Sequence, residues 1–221
     1  MKQTVLASLG LLAIAVTATS AIAADLPVRP VSKAPVYGPQ AYNWSGFYLG
    51  INGGYGFGKS KWTDTNSFDV RGGLGGGTVG YNWQVGQAVF GLEGDGDWSG
   101  LKGSTNTGCP AGCQTRNDWL ATARGRLGFA ADRLMPYVTG GLAVGDIKAT
   151  TPGFSGNDND RTGWTAGGGV EFAIAGPWSA KLEYLYVDLG RSNCGFSCGN
   201  FTPDNVNLKA NIVRGGINYK F

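Results

Sequence analysis

The closing stretch Val213-Arg-Gly-Gly-Ile-Asn-Tyr-Lys-Phe221 alternates apolar and polar side chains. Its odd positions carry Val213, Ile217, Tyr219 and Phe221. A repeat of two residues is the signature of a strand with one apolar and one polar face. We expect its partner strand to come from earlier in the chain, and pairing with the first strand would close the sheet. A closed sheet with an apolar exterior satisfies its backbone hydrogen bonds internally and can span a bilayer.

Seven further segments upstream show the same alternation. The complete set of predicted strands is 46–58, 73–84, 89–99, 118–130, 135–146, 162–173, 178–189 and 207–221. An even number of strands is the rule in single-chain bacterial barrels. The pattern therefore predicts an all-β fold, an eight-stranded antiparallel transmembrane β-barrel.

The connections between these segments alternate in length. Those after the second, fourth and sixth segments are short, at 85–88, 131–134 and 174–177, whereas the others are long, at 59–72, 100–117, 147–161 and 190–206. Outer-membrane barrels have short periplasmic turns and longer outer loops. The alternation fits such a barrel and has no reason to occur in a soluble sandwich.

Aromatic residues crowd at the ends of the predicted strands. Following the strands up and down places two groups at opposite ends: Phe47, Trp83, Phe90, Phe129, Phe172, Trp178, Tyr219 and Phe221 near the short turns, and Tyr55, Phe57, Trp98, Trp119, Trp164 and Tyr186 near the long loops. Rings of this kind sit at the two interfaces of a membrane. The residues predict two aromatic belts.

Composition excludes several other classes. The chain has 221 residues, 39 of them Gly, and a net charge of +3, which is too balanced to suggest nucleic-acid binding. It contains no His, which excludes a Ser-His-Asp site and His ligation of haem or zinc. The Gly75-x-Gly77-x-x-Gly80 match to a dinucleotide fingerprint lies inside a predicted strand with no following helix, so we interpret it as chance. We predict no enzyme, no catalytic or metal site and no cofactor.

The first 43 residues are predicted to lie outside the barrel. Lys2, the apolar run from Val5 to Val16 and the Ala21-Ile-Ala23 cleavage pattern predict a signal peptide over 1–23. Four prolines at 27, 30, 35 and 39 predict a Pro-rich periplasmic tether over 24–43. The barrel then occupies 44–221, and the chain is exported.

The polar faces of the strands carry ten charged residues. If the aromatic faces contact lipid, the lumen collects five acids and five bases: Glu93, Asp95, Asp97, Arg124, Arg126, Glu171, Lys181, Glu183, Arg214 and Lys220. Unpaired ions in a narrow lumen are costly, and an eight-stranded barrel is just wide enough for side chains to fill it. We predict a plugged interior held by an ion-pair network.

The cysteines form two Cys-x-x-x-Cys pairs in predicted outer loops, Cys109 with Cys113 and Cys194 with Cys198. An even number in an exported protein predicts disulfides, with three connectivities open. Pairing within each loop is favoured. A four-cysteine zinc site is the alternative, although the spacing and the oxidising location disfavour it.

Several segments together resemble a known family. They are Ala-Asp-Leu-Pro after the leader, Trp44-Ser-Gly-Phe-Tyr-Leu-Gly50, Leu134-Met-Pro-Tyr-Val-Thr-Gly-Gly141, Lys181-Leu-Glu-Tyr-Leu-Tyr-Val-Asp-Leu-Gly190 and the terminal Asn-Tyr-Lys-Phe221. The mature chain resembles the small outer-membrane β-barrel proteins of alphaproteobacteria, the porin-like surface-antigen family with RopB-type and hemin-binding members.

This resemblance implies location in the cell outer membrane and insertion by the outer-membrane assembly machinery, for which Tyr219 and Phe221 would be the signal. It also implies a structural role in envelope integrity, with lipid, lipopolysaccharide and host or surface ligands as partners. A small-solute porin-like channel and a hemin- or ligand-binding receptor are the alternatives. Basic and acidic residues mix near the predicted outer ends, so lipopolysaccharide binding and an ordinary solvated surface both stay open.

Overall fold

Eight strands follow one another along the chain, each antiparallel to its predecessor. The computed structural model describes residues 42–62, 67–106, 112–150, 157–193 and 205–221. Its strands are β1 (Gly46–Trp62), β2 (Phe68–Val85), β3 (Ala88–Thr105), β4 (Cys113–Phe129), β5 (Leu134–Thr150), β6 (Asn157–Ala175), β7 (Trp178–Asn193) and β8 (Asn205–Lys220). No helix in these ranges is long and apolar enough to cross a bilayer. The predicted signal peptide, and the predicted tether up to residue 41, lie outside the described residues.

The first and last strands pair with each other and close the sheet. Their register runs from Tyr48 opposite Lys220 to Trp62 opposite Val206. The Phe221 amide, just beyond β8, donates to the Phe47 carbonyl at 2.9 Å. The ring β1-β2-β3-β4-β5-β6-β7-β8 is therefore a closed barrel, which leaves no open sheet edge and confirms the predicted fold.

Three tight turns join the strands at one end of the barrel. Gly86-Gln87 and Gly176-Pro177 are two-residue turns, and their glycines have φ of 61° and 52°, in the left-handed region that favours Gly. Asp132 also has a positive φ, 52°, in the turn between β4 and β5. These turns fall where short connections were predicted.

At the other end the strands run further than predicted. Strand β1 continues to Trp62 and β2 begins at Phe68, although residues 59–72 were predicted to be a connection. Strand β6 likewise begins at Asn157, five residues before its predicted start. The ladder continues here although the apolar alternation on the outer face has stopped, because strand pairing needs only backbone groups. The strands thus extend into every predicted long loop.

The wall between the two groups of aromatic residues is apolar, and we call this part of the barrel the belt zone. On β1, Phe47, Ile51 and Phe57 are 63%, 71% and 44% exposed. Phe47 and Phe57 are ten positions apart on this strand. With a rise of about 3.3 Å per residue and a strand tilt of about 40°, they are separated by roughly 25 Å along the barrel axis. That height equals the apolar band of a membrane barrel.

At the end opposite the tight turns, the strands continue past the aromatic residues. We call this part of the barrel the outer zone. Strand β8 shows how the two faces change there. In the belt zone Val213 and Ile217 face outward and Arg214 is buried, whereas in the outer zone Lys209 faces outward and Leu208 is buried. The repeat of two continues throughout, but the apolar and polar residues exchange faces.

Glycine on the inner face lets neighbouring backbones approach closely. A Cβ built on Gly76 would lie 2.0 Å from the Gly96 carbonyl oxygen, a distance that no side chain tolerates. On the outer face of the same strand, a Cβ on Gly75 would meet its nearest atom at 3.6 Å, an ordinary contact. Glycine is therefore sterically required at residue 76 but not at residue 75.

Candidate functional sites in the lumen and on the outer wall

Nine charged residues meet inside the belt zone, and we call them the ionic cluster. They are Glu93, Asp95, Asp97, Arg124, Arg126, Glu171, Lys181, Glu183 and Arg214, each at most 6% exposed. Five acids and four bases contribute, from strands β3, β4, β6, β7 and β8. The alternation places all of them on the inward face, which is the face that sequence analysis assigned to them.

Arg214 binds carboxylates on two other strands. Its Nη1 donates to Asp97 Oδ2 at 3.0 Å, its Nη2 to Asp95 Oδ1 at 2.9 Å and its Nε to Glu183 Oε2 at 2.8 Å. Strand β8 lies three strands from β3 around the ring, so the bonds to Asp95 and Asp97 cross the lumen. The guanidinium thereby links opposite parts of the wall.

Arg124 makes a second crossing. Its Nη1 donates to Glu183 Oε1 at 3.0 Å, its Nη2 donates to Asp95 Oδ2 at 2.7 Å, and it also pairs with Glu93. Asp95 accepts further hydrogen bonds from the hydroxyls of Thr78 and Thr122, at 2.8 and 2.9 Å. Each carboxylate oxygen of Asp95 thus has more than one donor, which offsets the cost of burying the charge.

Arg126 and Lys181 extend the cluster toward the tight turns. Arg126 pairs with Glu171, and its guanidinium lies 3.7 Å from the centre of the Tyr137 ring. Lys181 Nζ donates to Glu93 Oε2 at 3.1 Å. A planar cation stacked on an aromatic face gains electrostatic attraction without needing another acid.

Uncharged donors complete the cluster, so that every strand takes part. The Tyr48 hydroxyl on β1 donates to Glu93 at 2.7 Å, the Thr78 hydroxyl on β2 to Asp95, and the Tyr137 hydroxyl on β5 to Glu183 at 3.0 Å. These donors matter because the acids outnumber the bases by one. A buried carboxylate is stabilised by hydrogen bonds as well as by opposite charge.

Lys220 is the predicted lumen residue that the structure does not bring into this cluster. Its ammonium group donates to the Asn43 carbonyl and lies 4.6 Å from the centre of the Tyr42 ring. The cause is its position as the last residue of β8, at the mouth beside the tight turns, where the chain before β1 supplies partners. The balance of five acids and five bases was therefore wrong.

That mouth also holds a small apolar cluster. Trp44 is 2% exposed and packs with Val89 and Met135, while the Tyr42 and Trp44 ring centroids lie 4.7 Å apart. Burial, and secondarily the Glu171 carboxylate, raises the pKa of the Tyr42 hydroxyl. The residues just before β1 thus contribute to the lumen, although sequence analysis assigned Tyr42 and Asn43 to a tether.

A larger apolar cluster lies in the outer half of the lumen, and it was not predicted from the sequence. We call it the outer apolar cluster, and it consists of Phe68, Val70, Leu74, Leu101, Leu120, Ala143, Ile147, Leu185, Val187, Leu189, Leu208, Ala210 and Ile212. A cavity among its side chains measures about 10 Å³, at most the space of one water molecule. The available signal was a run of apolar residues on the face that carries Arg214 and Glu183 further along the same strands.

The outer wall of the outer zone is charged and uneven. Exposed or half-exposed cations lie on β8, β1, β2, β3, β4 and β5, namely Lys209, Lys59, Lys61, Arg71, Lys102, Arg116 and Lys148. Asp69, Asp118 and Asp188 pair with some of them, and Asp160 is exposed on β6. Two grooves of about 570 and 580 Å³ open on this cationic side.

The remaining predicted site residues fall in three places. Tyr219 and Phe221 lie on the wall beside the tight turns, 37% and 72% exposed, with ring centroids 5.2 Å apart. Cys109, Cys194 and Cys198 lie outside the described residues, and of Cys113 only the backbone, at the start of β4, is described. The Gly75-x-Gly77-x-x-Gly80 segment lies within β2 and opens no helix.

A closed antiparallel barrel, an apolar wall bounded by aromatic belts and a charged lumen together define an integral membrane β-barrel. Residues 9–221 match the family described as outer membrane protein beta-barrel domain, and the chain belongs to this family. It is 39% identical to the 31 kDa outer-membrane immunogenic protein of Brucella melitensis, with all of both chains covered. It is 33% identical to the 22 kDa outer membrane protein of Rhizobium leguminosarum bv. viciae, over 90% of this chain and 83% of the relative.

Among solved structures, the barrel is similar to Neisserial surface protein A, with a TM-score of 0.50, 15% identity, and coverage of 80% of this chain and 98% of that one. That likeness concerns the fold. The sequence relatives confirm the predicted alphaproteobacterial outer-membrane family and the predicted location. The protein is an outer-membrane β-barrel related to surface immunogens.

Proposed function

We propose that the protein is a structural barrel with a plugged lumen that supports envelope integrity and presents its outer end at the cell surface. No catalytic step is part of this function. The observation that carries the proposal is the arrangement of the inward side chains: bonds from Arg124 and Arg214 cross the lumen within the ionic cluster. The outer apolar cluster lies on the outer side of these bonds. The cavity among its side chains has room for at most one water molecule.

Two barriers of different chemistry act in series on a solute. A permeating ion would have to displace charges that are already paired with one another, which requires breaking several buried ion pairs. It would then have to enter a region lined by Leu, Ile and Val side chains, where a charge is poorly solvated. Either barrier alone would oppose conduction, and together they favour a plug over a channel.

Planar-bilayer recording tests the plug directly. The mature chain, refolded and inserted at single-molecule density, is expected to give no steady conductance steps, while a porin inserted in the same bilayers demonstrates the sensitivity. Steps that recur with a single amplitude would contradict the plug and support the small-solute channel instead.

The proposal includes an interaction between the outer wall and lipopolysaccharide. Its support is the excess of exposed cations just beyond the outer aromatic belt, at the depth of lipid phosphates. Deleting the gene is expected to sensitise the cells to detergents and bulky antibiotics, and the wild-type gene is expected to restore resistance. Unchanged sensitivity in the deletion strain would contradict a role in envelope integrity.

Insertion is proposed to depend on the outer-membrane assembly machinery, with Tyr219 and Phe221 as the signal. Both rings are accessible on the wall at the last strand, where a partner protein could read them. Replacing Phe221 with Ser is expected to lower the amount of folded barrel in membranes, whereas refolding of the same variant in detergent stays close to wild type. Equal losses in both assays would assign Phe221 a purely structural role.

A further inference from the structure

Four cations stand side by side on the outer wall, one on each of four consecutive strands. Arg71 on β2 lies opposite Lys102 on β3, Lys102 lies opposite Arg116 on β4, and Arg116 lies opposite Lys148 on β5. We call these four residues the cation ladder. Side chains directly opposite one another on antiparallel strands have Cβ atoms about 5 Å apart, and like charges at that spacing repel.

Acidic neighbours relieve this repulsion at Arg71, Arg116 and Lys148 more than at Lys102. Asp69 pairs with Arg71 at 2.9 Å, and Asp118 pairs with Arg116 and, at 3.0 Å, with Lys148. The Asp146 carboxylate lies 3.8 Å from Lys148. For Lys102, between two guanidinium groups, the ion pairs among the described residues include no acid. Within the part of the chain that the structure describes, the charge of Lys102 is therefore the least compensated of the four.

The ladder lies at the depth of lipid headgroups. Trp98 and Trp119, which belong to the outer aromatic belt, are opposite one another on β3 and β4, only a few residues below Lys102 and Arg116. Trp98 is 80% exposed. Because such rings mark the headgroup level, the anions nearest to the ladder are lipid phosphates rather than solutes in bulk water.

Three of the four ladder cations line a common groove on the wall. It has a volume of about 580 Å³ and is lined by Lys102, Arg116 and Lys148 together with Gly103, Ser104 and Gln114. The Arg116 guanidinium offers a planar fork that matches phosphate oxygens, while the two lysines supply point charges. Three cations around one opening suit a ligand with more than one phosphate group.

The wall below the ladder leaves space for an acyl chain. Gly77 on β2, Gly96 on β3 and Ala121 on β4 lie side by side and face outward in the belt zone. A Cβ added at Gly96 would have no atom within 4 Å, so the missing side chains leave a shallow trough rather than a steric requirement. The trough starts two residues from Trp98 and runs beneath the cations.

We propose that the cation ladder is a binding site for the phosphorylated glycolipid of the outer leaflet, with its phosphates on Lys102, Arg116 and Lys148 and an acyl chain in the trough. This inference rests on the lipopolysaccharide interaction proposed above and assigns it to particular residues. The proposal is that binding occurs at a defined site. On a diffuse positive surface, every exposed cation would contribute equally to the affinity.

The refolded mature barrel in neutral detergent is titrated with diphosphorylated lipid A. Binding is followed by native mass spectrometry. Lys102→Met is expected to weaken binding about fivefold, the effect of one cation near an anionic lipid surface. Lys61→Met removes the same charge from an exposed position on β1 outside the ladder, and is expected to change affinity less than twofold. Equal weakening by both variants would overturn the site.

Three further arms identify the ligand. Monophosphorylated lipid A is expected to bind the wild type less tightly than diphosphorylated lipid A does. The Lys102→Met substitution is also expected to reduce the affinity for the monophosphorylated lipid by a smaller factor. Inorganic phosphate at the millimolar level is expected not to displace the lipid, and displacement would assign the site to a free anion. Gly96→Leu fills the trough from the lipid side and is expected to weaken lipid A binding, whereas unchanged binding would overturn the acyl-chain part.

The outcomes separate this inference from the proposed function. If the wild type binds lipid A and the Lys102 and Gly96 variants bind equally well, the interaction stands and the site is wrong. If the wild type does not bind lipid A, the lipopolysaccharide interaction itself fails. Heat-modifiable migration on gels shows whether each variant has formed the barrel. Residues 102 and 96 are both exposed on the wall, so we expect both variants to fold.

Discussion

The belt zone and the outer zone share one backbone ladder but distribute their side chains in opposite ways. In the belt zone the wall is apolar and the lumen holds the ionic cluster, whereas in the outer zone the wall is charged and the lumen holds the outer apolar cluster. The wall follows its surroundings, which are hydrocarbon in the belt zone and the polar headgroup layer in the outer zone. The buried side chains of the lumen face one another, so they need only match one another in shape and polarity.

The comparison implies that the ionic cluster is the more fragile part. Replacing Arg214 with Met leaves Asp95, Asp97 and Glu183 without their shared cation in a buried site. Removing one partner of a buried pair costs about 3–5 kcal/mol, so we expect a loss of this size in the free energy of unfolding by urea in lipid vesicles. Lys209→Met, an exposed cation on the same strand, is the control. A loss below about 1 kcal/mol for Arg214→Met would show that the cluster adapts by taking up protons or water.

The outer apolar cluster should behave like the core of a soluble protein. Leu185 is fully buried within it, and Leu185→Ala is expected to cost about 2–4 kcal/mol because the cavity cannot collapse. Leu182, three residues before it on the same strand, faces lipid and is 58% exposed. Leu182→Ala should cost less, since lipid tails can fill the space. Equal losses in urea unfolding would mean that the inner and outer faces are packed alike.

Neighbouring glycines on β2 sharpen the contrast between the two faces. Gly76→Ala forces a Cβ against the Gly96 carbonyl and is expected to cost about 1–3 kcal/mol. Gly75→Ala has room and should be neutral or slightly stabilising, by up to about 1 kcal/mol, because it restricts the unfolded chain. The pair can be compared by the urea midpoint at unchanged slope. The opposite order of midpoints would contradict the assignment of the inner face.

The smallest effect is expected on the wall of the outer zone. Lys148 is 38% exposed and pairs with Asp118 and Asp146, and ion pairs of this kind contribute about 0–1 kcal/mol. Lys148→Met should therefore hardly move the urea midpoint, and 0.5 M salt should reduce even that difference. A loss as large as that of Arg214→Met would show that the outer zone depends on its surface charges.

The belt zone could be predicted from the sequence because lipid fixes one face. Phe47, Leu49 and Ile51 mark the outer face of β1 unambiguously, and the residues between them must then face the lumen. The same logic located Arg124 and Glu183, although not their distances or partners. Which acid pairs with which base depends on the strand register and on the diameter of the barrel. Neither can be predicted from the sequence of a single strand.

The outer zone could not be predicted in this way. At Lys209 and Leu208 the strand continues with its faces exchanged, so a search for apolar residues on one constant face sees the pattern end. Leu74 on β2 likewise belongs to the inner apolar face, whereas the belt-zone apolar residues of that strand face outward. On β4 a register irregularity between Arg116 and Leu120 also shifts the phase, so that Asn117 and Leu120 are both buried. Lys220 was misassigned because the sequence gives no sign that Tyr42 and Asn43 return to the mouth.

The ring closure between β1 and β8 has a consequence for biogenesis. Arg214 arrives on the last strand, yet its carboxylate partners Asp95 and Asp97 are more than a hundred residues upstream. A nascent sheet lacking that strand holds a surplus of negative charge, and a one-residue slip at the seam would turn Arg214 toward hydrocarbon. A closed barrel in the wrong register would therefore lack these ion pairs and expose a charge to lipid, so electrostatics favours the correct alignment of the last strand.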